Sequence, residues 1–363
     1  MKKYNFYAGP AILPDVVLQQ AQEAIQDFAG TGLSILEISH RSKEFVSVME
    51  QARALVKELM NLDNTYEVLF LQNGALAQFH MVPMNLLNED ETAAYFDTGA
   101  WAHGAMEEAR LFGKVHIACS SRKDRYSYIP DAFTLPENLK YLHVTSNNTI
   151  YGTQLQFPLS KPWAPGVPLV CDMSSDIFSR QLDYSQFDLI YAGAQKNIGP
   201  AGTVLVVVRK NILGTVRRSI PKMLDYRQHI DKESMLNTPS VFAVYVTYLT
   251  LQWIKQQGIQ NLEQKNRAKA QMLYQAIDNS SLFEGTVAKE NRSAMNVCFR
   301  IREVDASTAA LETRFLQFAE QQGLLGLQGH RSVGGFRASI YNAMNLEGVT
   351  ALTQAMAEYE RQL

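Results

Sequence analysis

The chain has 363 residues, of which 46% are hydrophobic and 19% charged, a composition typical of a folded globular protein and not of a disordered one. Lysine and arginine number 34 against 36 acidic residues, so a formal net charge of -2 offers no general basic field for nucleic acid or an anionic membrane. The length favours about two domains.

Cysteine usage and hydropathy indicate the compartment. Cys119, Cys171 and Cys298 lie far apart and lack metal-ligand spacing, which favours a reducing compartment over a disulfide framework. The basic start of the chain is not followed by the apolar core of a signal peptide. The longest apolar run, over residues 204–208, is far shorter than the roughly 20 residues that span a bilayer. We therefore expect a soluble, cytoplasmic protein without a metal site.

Hydrophobic periodicity predicts alternating helices and strands. In chain order, the pattern predicts helices over 14–29 and 43–61, a strand over 67–71, a helix over 75–87, a strand over 93–96, a helix from 101, and strands over 115–118, 141–144, 169–171, 189–192 and 203–208. Strands that are apolar throughout are typical of a sheet covered by helices on both faces. Most of the chain is therefore predicted to be an α/β domain, doubly wound around a mostly parallel central sheet.

A polar run at residues 278–280 marks an expected domain boundary. Two further helices are predicted before it, over 239–257 and 262–277. After it the pattern changes to a strand over 296–301, a helix over 306–322, a strand over 336–340 and a helix over 346–360, which predicts a small α+β domain. We therefore expect a large domain over 1–280 and a small C-terminal domain over 281–363. Packing of the N-terminal segment on the small domain is left open.

One lysine stands out once the common motifs are eliminated. The chain contains no HExxH, GxGxxG, GxxxxGK[ST] or GxSxG pattern. Lys196 follows a predicted strand, in a turn whose small residues let a bulky planar group approach. It also lies at the carboxyl end of that strand, where open α/β sheets bind ligands. In isolation it would be interpreted as a surface-loop lysine, and these two features argue against that.

Asp172 ends the preceding predicted strand, and a carboxylate buried there needs a cationic partner. If the two strands are neighbours, about 4.8 Å apart, Asp172 and Lys196 approach opposite sides of a ring-sized ligand. A lysine amine and a carboxylate facing a protonated pyridine nitrogen form the pair found in pyridoxal 5'-phosphate (PLP) sites. The helix predicted to begin at Gly74–Ala75 adds free N–H groups for a phosphate. Taken alone, Asp172 is better explained as a helix N-cap.

Several motifs are spread over nearly the whole chain. They are NFYAGPA at 5–11 with Leu13-Pro14, SHRS at 39–42, the segments 74–79, 147–150, 170–175, 193–202 and 237–239, Trp101, and GHRSVGGFRASIYN at 329–342. The lysine segment and the last segment are the most specific. Together these motifs resemble the phosphoserine aminotransferase family, which belongs to class V of the fold-type I PLP enzymes.

The resemblance implies roles for individual residues toward the cofactor. It makes Lys196 the residue that binds PLP covalently and then moves a proton, and Asp172 the residue that keeps the ring nitrogen protonated. Trp101 would stack on the ring, and Thr149 would hydrogen-bond its oxygen. The cofactor phosphate is assigned to the backbone at Ala75 and Leu76, to Gln195, and to Asn237 and Thr238 of a second subunit. A homodimer with shared active sites follows.

The resemblance also implies a substrate site. It assigns Arg337 to the α-carboxylate and assigns the distal anion to His40, Arg41, His330 and Arg331. Guanidinium forks bind either the γ-carboxylate of glutamate or the phosphate of phosphoserine, so one site serves both. The implied reaction is amino transfer between O-phospho-L-serine and 2-oxoglutarate, in serine biosynthesis. A second substrate, 4-phosphooxy-L-threonine of pyridoxine biosynthesis, is left open.

The sequence departs from the family pattern at three places. Leu76 stands where relatives carry serine or arginine, Asn148 replaces a glutamate, and Ala102 and Gly104 replace a serine and a lysine. None of these changes removes a group from the chemistry at Lys196, although Leu76 offers an anion no side-chain donor. Two other functions stay open: a class V aminotransferase that acts on alanine or serine with glyoxylate, and a non-catalytic PLP-binding protein.

Without the family, several of these residues have ordinary explanations. Arg331 and Arg337 are equally well explained as surface cations on a strand. His40 is more often structural, and a lone Trp101 is more often a core residue.

Overall fold

The computed structural model describes residues 2–159, 166–303 and 308–363. Its helices are α1 (Asp15–Gln26), α2 (Lys43–Met60), α3 (Ala75–Leu86), α4 (Ala100–Ala109), α5 (Tyr226–Asp231), α6 (Val241–Gln257), α7 (Ile259–Asn279), α8 (Thr308–Gln321) and α9 (Leu346–Arg361). Its strands are β1 (Tyr4–Asn5), β2 (Tyr66–Leu71), β3 (Thr92–Asp97), β4 (Lys114–Ser120), β5 (Leu142–Thr145), β6 (Asn147–Asn148), β7 (Thr153–Gln154), β8 (Leu169–Asp172), β9 (Leu189–Gly193), β10 (Val204–Arg209), β11 (Phe283–Gly285), β12 (Asn296–Ile301), β13 (Leu324–Leu325) and β14 (Phe336–Ser339).

The helices and strands expected from the sequence are present in the described residues, with ends within about three residues of those predicted. Residues 306 and 307 of one predicted helix lie outside the described residues. The elements that the periodicity did not predict are short: α5 and the strands β1, β6, β7, β11 and β13. The five strands have only two or three residues each, too few to show a period, and the six residues of α5 make less than two helical turns.

A seven-stranded sheet, in the order β2-β10-β9-β8-β5-β3-β4, forms the centre of the larger part of the described chain. β10 runs antiparallel to both its neighbours, and the other six strands run parallel to one another. The prediction of an α/β fold with a mostly parallel sheet is therefore confirmed. Residues 194–203, which join β9 to β10, form turns and no helix, so β10 returns as an antiparallel neighbour.

Helices cover both faces of this sheet. Along β9, Ile190 points into a cluster that includes side chains of α2 and α6. Leu189 and Tyr191 point into a second cluster, which includes side chains of α3, α4 and α5. Because each face is buried, consecutive strand residues are all apolar, and this is the doubly wound arrangement that the continuous apolar runs predicted.

A further apolar core surrounds a three-stranded antiparallel sheet in the order β11-β12-β14. Phe283, Phe299, Phe315 and Phe336 form its centre, with ring centroids between 4.9 and 6.1 Å apart. Phe6 joins this core, and β1 pairs with β13. The N-terminal segment therefore packs against the C-terminal part of the chain. The domain division at residues 280 and 281 stays a prediction.

The carboxyl ends of the parallel strands lie along one edge of the large sheet. β2 ends at Leu71, β3 at Asp97, β5 at Thr145, β8 at Asp172 and β9 at Gly193. β8 lies between β5 and β9, with Asp172 opposite Thr145 and Tyr191. β8 and β9 are thus neighbours, which is the condition under which Asp172 and the loop after β9 can share a ligand.

The described residues also bear on the expectations for disulfides, metal sites and membrane-spanning helices. The three cysteines are buried and free. Within the ranges given above, no group of three or more His, Cys, Asp or Glu side chains could hold a metal ion. No described helix combines the length and the hydropathy needed to cross a bilayer.

Candidate active site

Lys196 lies in the loop between β9 and β10, and its Nζ donates a hydrogen bond to Oγ1 of the buried Thr149 at 2.8 Å. Part of the side chain is exposed, but the surroundings of the amine exclude enough water to lower the pKa of Lys196 to about 8. The charge of Asp172 opposes this shift, and that of Arg337 adds to it. The structure therefore makes Lys196 an amine that loses its proton far more readily than a surface lysine.

Asp172 is buried at the end of β8, close enough to Lys196 that each charge shifts the pKa of the other. Its Oδ1 accepts hydrogen bonds from the backbone N–H of Ser174 at 2.9 Å and from the Ser174 hydroxyl at 2.6 Å. Burial raises the pKa of Asp172, while Lys196 and the bonds from Ser174 act against this. Both bonds reach Oδ1, which leaves Oδ2 without a donor in the described part of the chain. Turns follow, so Asp172 is not a helix N-cap.

A buried row of aromatic and polar side chains extends from Asp172 across the sheet. Tyr191, opposite Asp172 on β9, shares a hydrogen bond of 2.9 Å between its hydroxyl and Nε2 of His143. His143 stacks on Tyr95 with centroids 4.8 Å apart, and the hydroxyls of Tyr95 and Tyr141 lie 2.7 Å apart. Burial lowers the pKa of His143 to about 3, so the imidazole is neutral. The sequence analysis missed this row, although a histidine inside an apolar strand was visible.

The start of α3 is open to a ligand. Gly74 occupies the N-cap position without a side-chain cap, and apart from its two chain neighbours no described atom lies within 4 Å of where a side chain at Gly74 would begin. Leu76, in the first turn, is 63% exposed. Helix N-termini with free N–H groups are favourable places for phosphate groups. Ala75 and Leu76 therefore lie where backbone N–H groups could meet an anion.

Gln195, Asn237 and Thr238 lie beside two different segments. The backbone carbonyl of Gln195 accepts from the N–H of Ala11 at 2.9 Å, so the N-terminal segment lies against the lysine loop. Asn237 Nδ2 donates to Gln72 Oε1 at 2.5 Å, and Gln72 Nε2 donates to the carbonyl of Thr238. Gln72 belongs to the same chain, two residues before Gly74. The assignment of Asn237 and Thr238 to a second subunit's site stays a prediction.

Trp101 begins α4 with Ala100 and is 39% exposed, so it is not a core residue. On the same helix, His103 Nδ1 lies 3.3 Å from a carboxylate oxygen of Asp97. Asp97 is buried and accepts hydrogen bonds from the hydroxyls of Tyr126 at 3.0 Å and Ser120 at 2.8 Å. The sequence analysis missed Asp97, although it follows an apolar strand just as Asp172 does.

Arg337 projects from β14 toward Thr149, with Nη1 3.4 Å from the Thr149 carbonyl oxygen. Its Nε is buried and has no hydrogen-bond partner, and none of the described carboxylates lies within 4.0 Å of it. Burial together with the charges of Arg337 and Arg331 lowers the pKa of His330. None of these three potential cations forms an ion pair with a carboxylate in the described ranges, an arrangement suited to an anionic ligand.

His40 and Arg41 come from the N-terminal part of the chain. They precede α2, where His40 is half-buried and Arg41 is exposed. Among the described residues, neither forms a hydrogen bond or ion pair with His330, Arg331 or Arg337. Neither lines the cavity beside Arg337, and Arg41 is not among the charges that shift the pKa of His330, so the assignment of His40 and Arg41 to the distal anion stays a prediction.

Comparisons with known proteins agree with this geometry. Residues 3–352 match the family model described as "Aminotransferase class-V". The phosphoserine aminotransferase of Flavobacterium johnsoniae is 55% identical over 363 residues, which cover 99% of each chain. The solved phosphoserine aminotransferase from Bacillus circulans subsp. alkalophilus is 44% identical, with a TM-score of 0.94 over 99% of each chain. The PLP-bound phosphoserine aminotransferase from Trichomonas vaginalis is 33% identical, with a TM-score of 0.91 over 98% of this chain and 100% of that one.

The fold, the buried amine beside a carboxylate and the matches over the full length agree with one another. The chain belongs to the class V aminotransferase family.

Proposed function

We propose that this protein transfers an amino group between O-phospho-L-serine and 2-oxoglutarate, giving 3-phosphooxypyruvate and L-glutamate, with PLP as cofactor. The observation that carries the proposal is the Lys196 amine, with its pKa lowered to about 8, held beside buried Asp172 at the carboxyl edge of the sheet. Relatives that are 50–55% identical over nearly the whole chain bear the name of this activity. The product would serve serine biosynthesis.

The residues present fit PLP. Asp172 has a carboxylate oxygen that no donor of the described residues reaches, and it would accept the N–H of a protonated pyridine ring. Trp101 has an exposed ring for stacking, and the Thr149 hydroxyl beside Lys196 would meet the ring oxygen. The uncapped start of α3 at Ala75 and Leu76 would hold the phosphate, with Gln195. When bound, PLP supplies an aldehyde that bonds to amines and a ring that withdraws electrons from the substrate carbon.

Lys196 is suited to carry a proton. With a pKa of about 8, about a tenth of the amines are neutral at pH 7, against about three in ten thousand for an unperturbed lysine. A neutral amine takes a proton, and the resulting ammonium group can return it nearby, with Thr149 Oγ1 as the hydrogen-bond acceptor that orients it. Asp172, in its charged form, favours the protonated amine and so limits how far the pKa falls.

The cations of the site account for the substrate. Arg337, without a carboxylate partner in the described residues, would fork the α-carboxylate. His330 and Arg331 would bind the distal phosphate or γ-carboxylate, with each charge-assisted bond contributing about 1.5–3 kcal/mol. A donor with a small neutral side chain, such as alanine or serine, offers no distal anion to these groups. The cation cluster therefore favours phosphoserine over the donors of other class V enzymes.

A homodimer with shared sites is part of the proposal. His40 and Arg41 do not line the cavity beside Arg337 in their own chain, and in the proposed dimer a second copy would supply them. Asn237 and Thr238 would likewise serve the partner's cofactor phosphate. The cytoplasmic location and the second substrate, 4-phosphooxy-L-threonine, stay predictions.

Donor profiling of the PLP-loaded protein tests the function. Initial rates with phosphoserine, serine and alanine are compared at a fixed 2-oxoglutarate concentration. We expect kcat/KM for phosphoserine to exceed that for serine by about 100-fold, because two charge-assisted bonds of about 1.5 kcal/mol each amount to about that factor. Equal use of serine or alanine would contradict the substrate, and absence of transfer with every donor would favour a non-catalytic PLP-binding protein.

A further inference from the structure

A cavity of about 720 Å³ lies beside Arg337, between the two apolar cores. One wall is the turn after β4, over residues 122 and 124–127, together with residues 150 and 151. The other wall consists of β11, β12, β14 and the loop over 329–335. We call this space the cleft cavity. Its volume is within the range of small-ligand pockets, roughly 300–1,000 Å³. Lys196, Asp172 and Trp101 do not line it, whereas Arg337 and His330 do, so the cavity adjoins the reaction site and shares these two cations with it.

Positive charge dominates the described lining of the cleft cavity: four guanidinium groups face two carboxylates, those of Asp124 and Glu284. The Glu284 carboxylate already forms an ion pair, because Arg300 Nε lies 2.7 Å from its Oε1. Arg122 and Arg125 form no ion pair with any described carboxylate. The excess of two positive charges matches a small dianion.

The turn that carries Arg122 and Arg125 is held in place. Arg125 and Tyr126 have φ angles of 53° and 56°, in the left-handed region that residues with side chains seldom adopt. The Tyr126 hydroxyl donates to buried Asp97 at 3.0 Å, and Arg122 Nη1 lies 3.2 Å from His103 Nε2. A backbone conformation of this kind persists when its surroundings hold it, so the two guanidinium groups project from an anchored turn and not from a free loop.

The opposite wall also lacks a counter-ion. Arg337 Nε is buried, and nothing in the described part of the chain forms a hydrogen bond with it. The charges of Arg337 and Arg331 lie close enough to His330 to add to burial in lowering its pKa. Arg337 thus faces both the reaction site, near Thr149, and the cleft cavity.

We propose that the cleft cavity is a waiting site, in which Arg122 and Arg125 hold a small dianion of the phosphate-monoester or dicarboxylate class before it reaches Arg337. The inference rests on the proposed function, whose donor and acceptor both belong to this class. An excess of positive charge in a cleft raises the encounter rate of anionic ligands, by 10- to 1,000-fold where a single sign of charge lines the cleft, and salt screens the effect. Arg122 and Arg125 therefore act on substrate capture and not on the chemical step.

The test compares an Arg122→Gln/Arg125→Gln double variant with Lys123→Gln. Lys123 belongs to the same turn but does not line the cavity. Its variant therefore also removes a positive charge from the turn, but outside the cavity. We expect the double variant to lose about tenfold in kcat/KM, to keep kcat within twofold, and to show a weaker salt dependence of kcat/KM. Lys123→Gln should match the unaltered protein. An Arg122→Lys/Arg125→Lys variant, which keeps the charge, should retain most of the capture rate even if the glutamine variant folds poorly.

The substrates are tested separately. A loss confined to phosphoserine identifies a phosphate-monoester site, a loss confined to 2-oxoglutarate identifies a dicarboxylate site, and a loss for both identifies a shared dianion site. Unchanged kcat/KM in a folded double variant would overturn the inference, as would a fall in kcat of the same size. If the unaltered protein does not transaminate phosphoserine, the proposed function fails instead. Binding of inorganic phosphate, followed by ³¹P line broadening in the unaltered protein and the double variant, then still decides whether the cavity takes a dianion.

Discussion

Replacing Arg337 with glutamine tests the substrate site most directly. Within the described residues its guanidinium group has one long hydrogen bond, 3.4 Å to the Thr149 carbonyl, and no ion pair. The fold therefore depends little on its charge, and we expect Arg337→Gln to lower the free energy of unfolding by no more than about 1 kcal/mol. The guanidinium group of Arg337 is therefore available to bind the α-carboxylate of a substrate.

The expected kinetic loss follows from the two bonds of a guanidinium fork. Each charge-assisted bond contributes about 1.5–3 kcal/mol, so losing both costs about 3–6 kcal/mol, or a factor of about 10² to 10⁴ in kcat/KM for phosphoserine. The charge of Arg337 also lowers the pKa of Lys196, so the substitution should move the pKa of that amine upward. In the cofactor-free variant, the titration of the Lys196 amine should therefore move to higher pH.

The assay measures kcat and KM for phosphoserine and the midpoint of urea unfolding in the same PLP-loaded preparations. Arg302→Gln is the matched control, because Arg302 is an exposed arginine just beyond β12 whose ion pair with Glu284 is a surface one. The control should keep its kinetics within about twofold. An Arg337→Gln protein of unchanged stability that retains kcat/KM within fivefold would refute the assignment of Arg337 to the α-carboxylate.

Three further predictions concern Lys196 and Asp97. Lys196→Ala should abolish both transamination and the chromophore that borohydride reduces, and retention of both would contradict the central assignment. In the cofactor-free protein, the lowered pKa of Lys196 means that the unfolded chain binds more protons between about pH 8 and 10.5. This group therefore makes stability rise with pH in that window, and urea unfolding of Lys196→Met should lack this contribution. Asp97→Asn, which replaces an acceptor of two hydroxyl donors, should cost about 1–3 kcal/mol of stability. Asp90→Asn, at an exposed ion pair with Arg217, should cost under about 1 kcal/mol, and equal losses would refute the role of Asp97.

The local hydrophobic pattern was sufficient to predict the helices and the main strands. In α2 the apolar residues recur at three- and four-residue spacing, and the helix buries that face, including Phe45, Met49 and Leu55. In β9 every residue is buried because helices cover both faces of the sheet. These features depend on near neighbours along the chain, which is why periodicity detects them.

The order and direction of the strands could not be predicted from the local hydrophobic pattern. Nothing in the apolar run of β10 distinguishes an antiparallel strand from a parallel one, and only the absence of a helix between β9 and β10 hints at the return. β1 pairs with β13, some 320 residues away along the chain, so its two residues gain strand geometry from a distant partner. Such contacts depend on how the whole chain packs.

The candidate site divides in the same way. A lysine and an aspartate at the ends of two strands could be expected to meet from their sequence positions, and Lys196 and Asp172 do lie close together. The unpaired guanidinium groups around the cleft cavity could not be expected. The burial of Lys269 could not be expected from the sequence either. Lys269 is buried in α7 and donates to the carbonyls of three distant residues, Ile340, Tyr341 and Met344. Residue type and spacing along the chain limit which elements form, whereas the partners of a buried charge are chosen by long-range packing, because each buried polar group must be satisfied wherever the fold brings it.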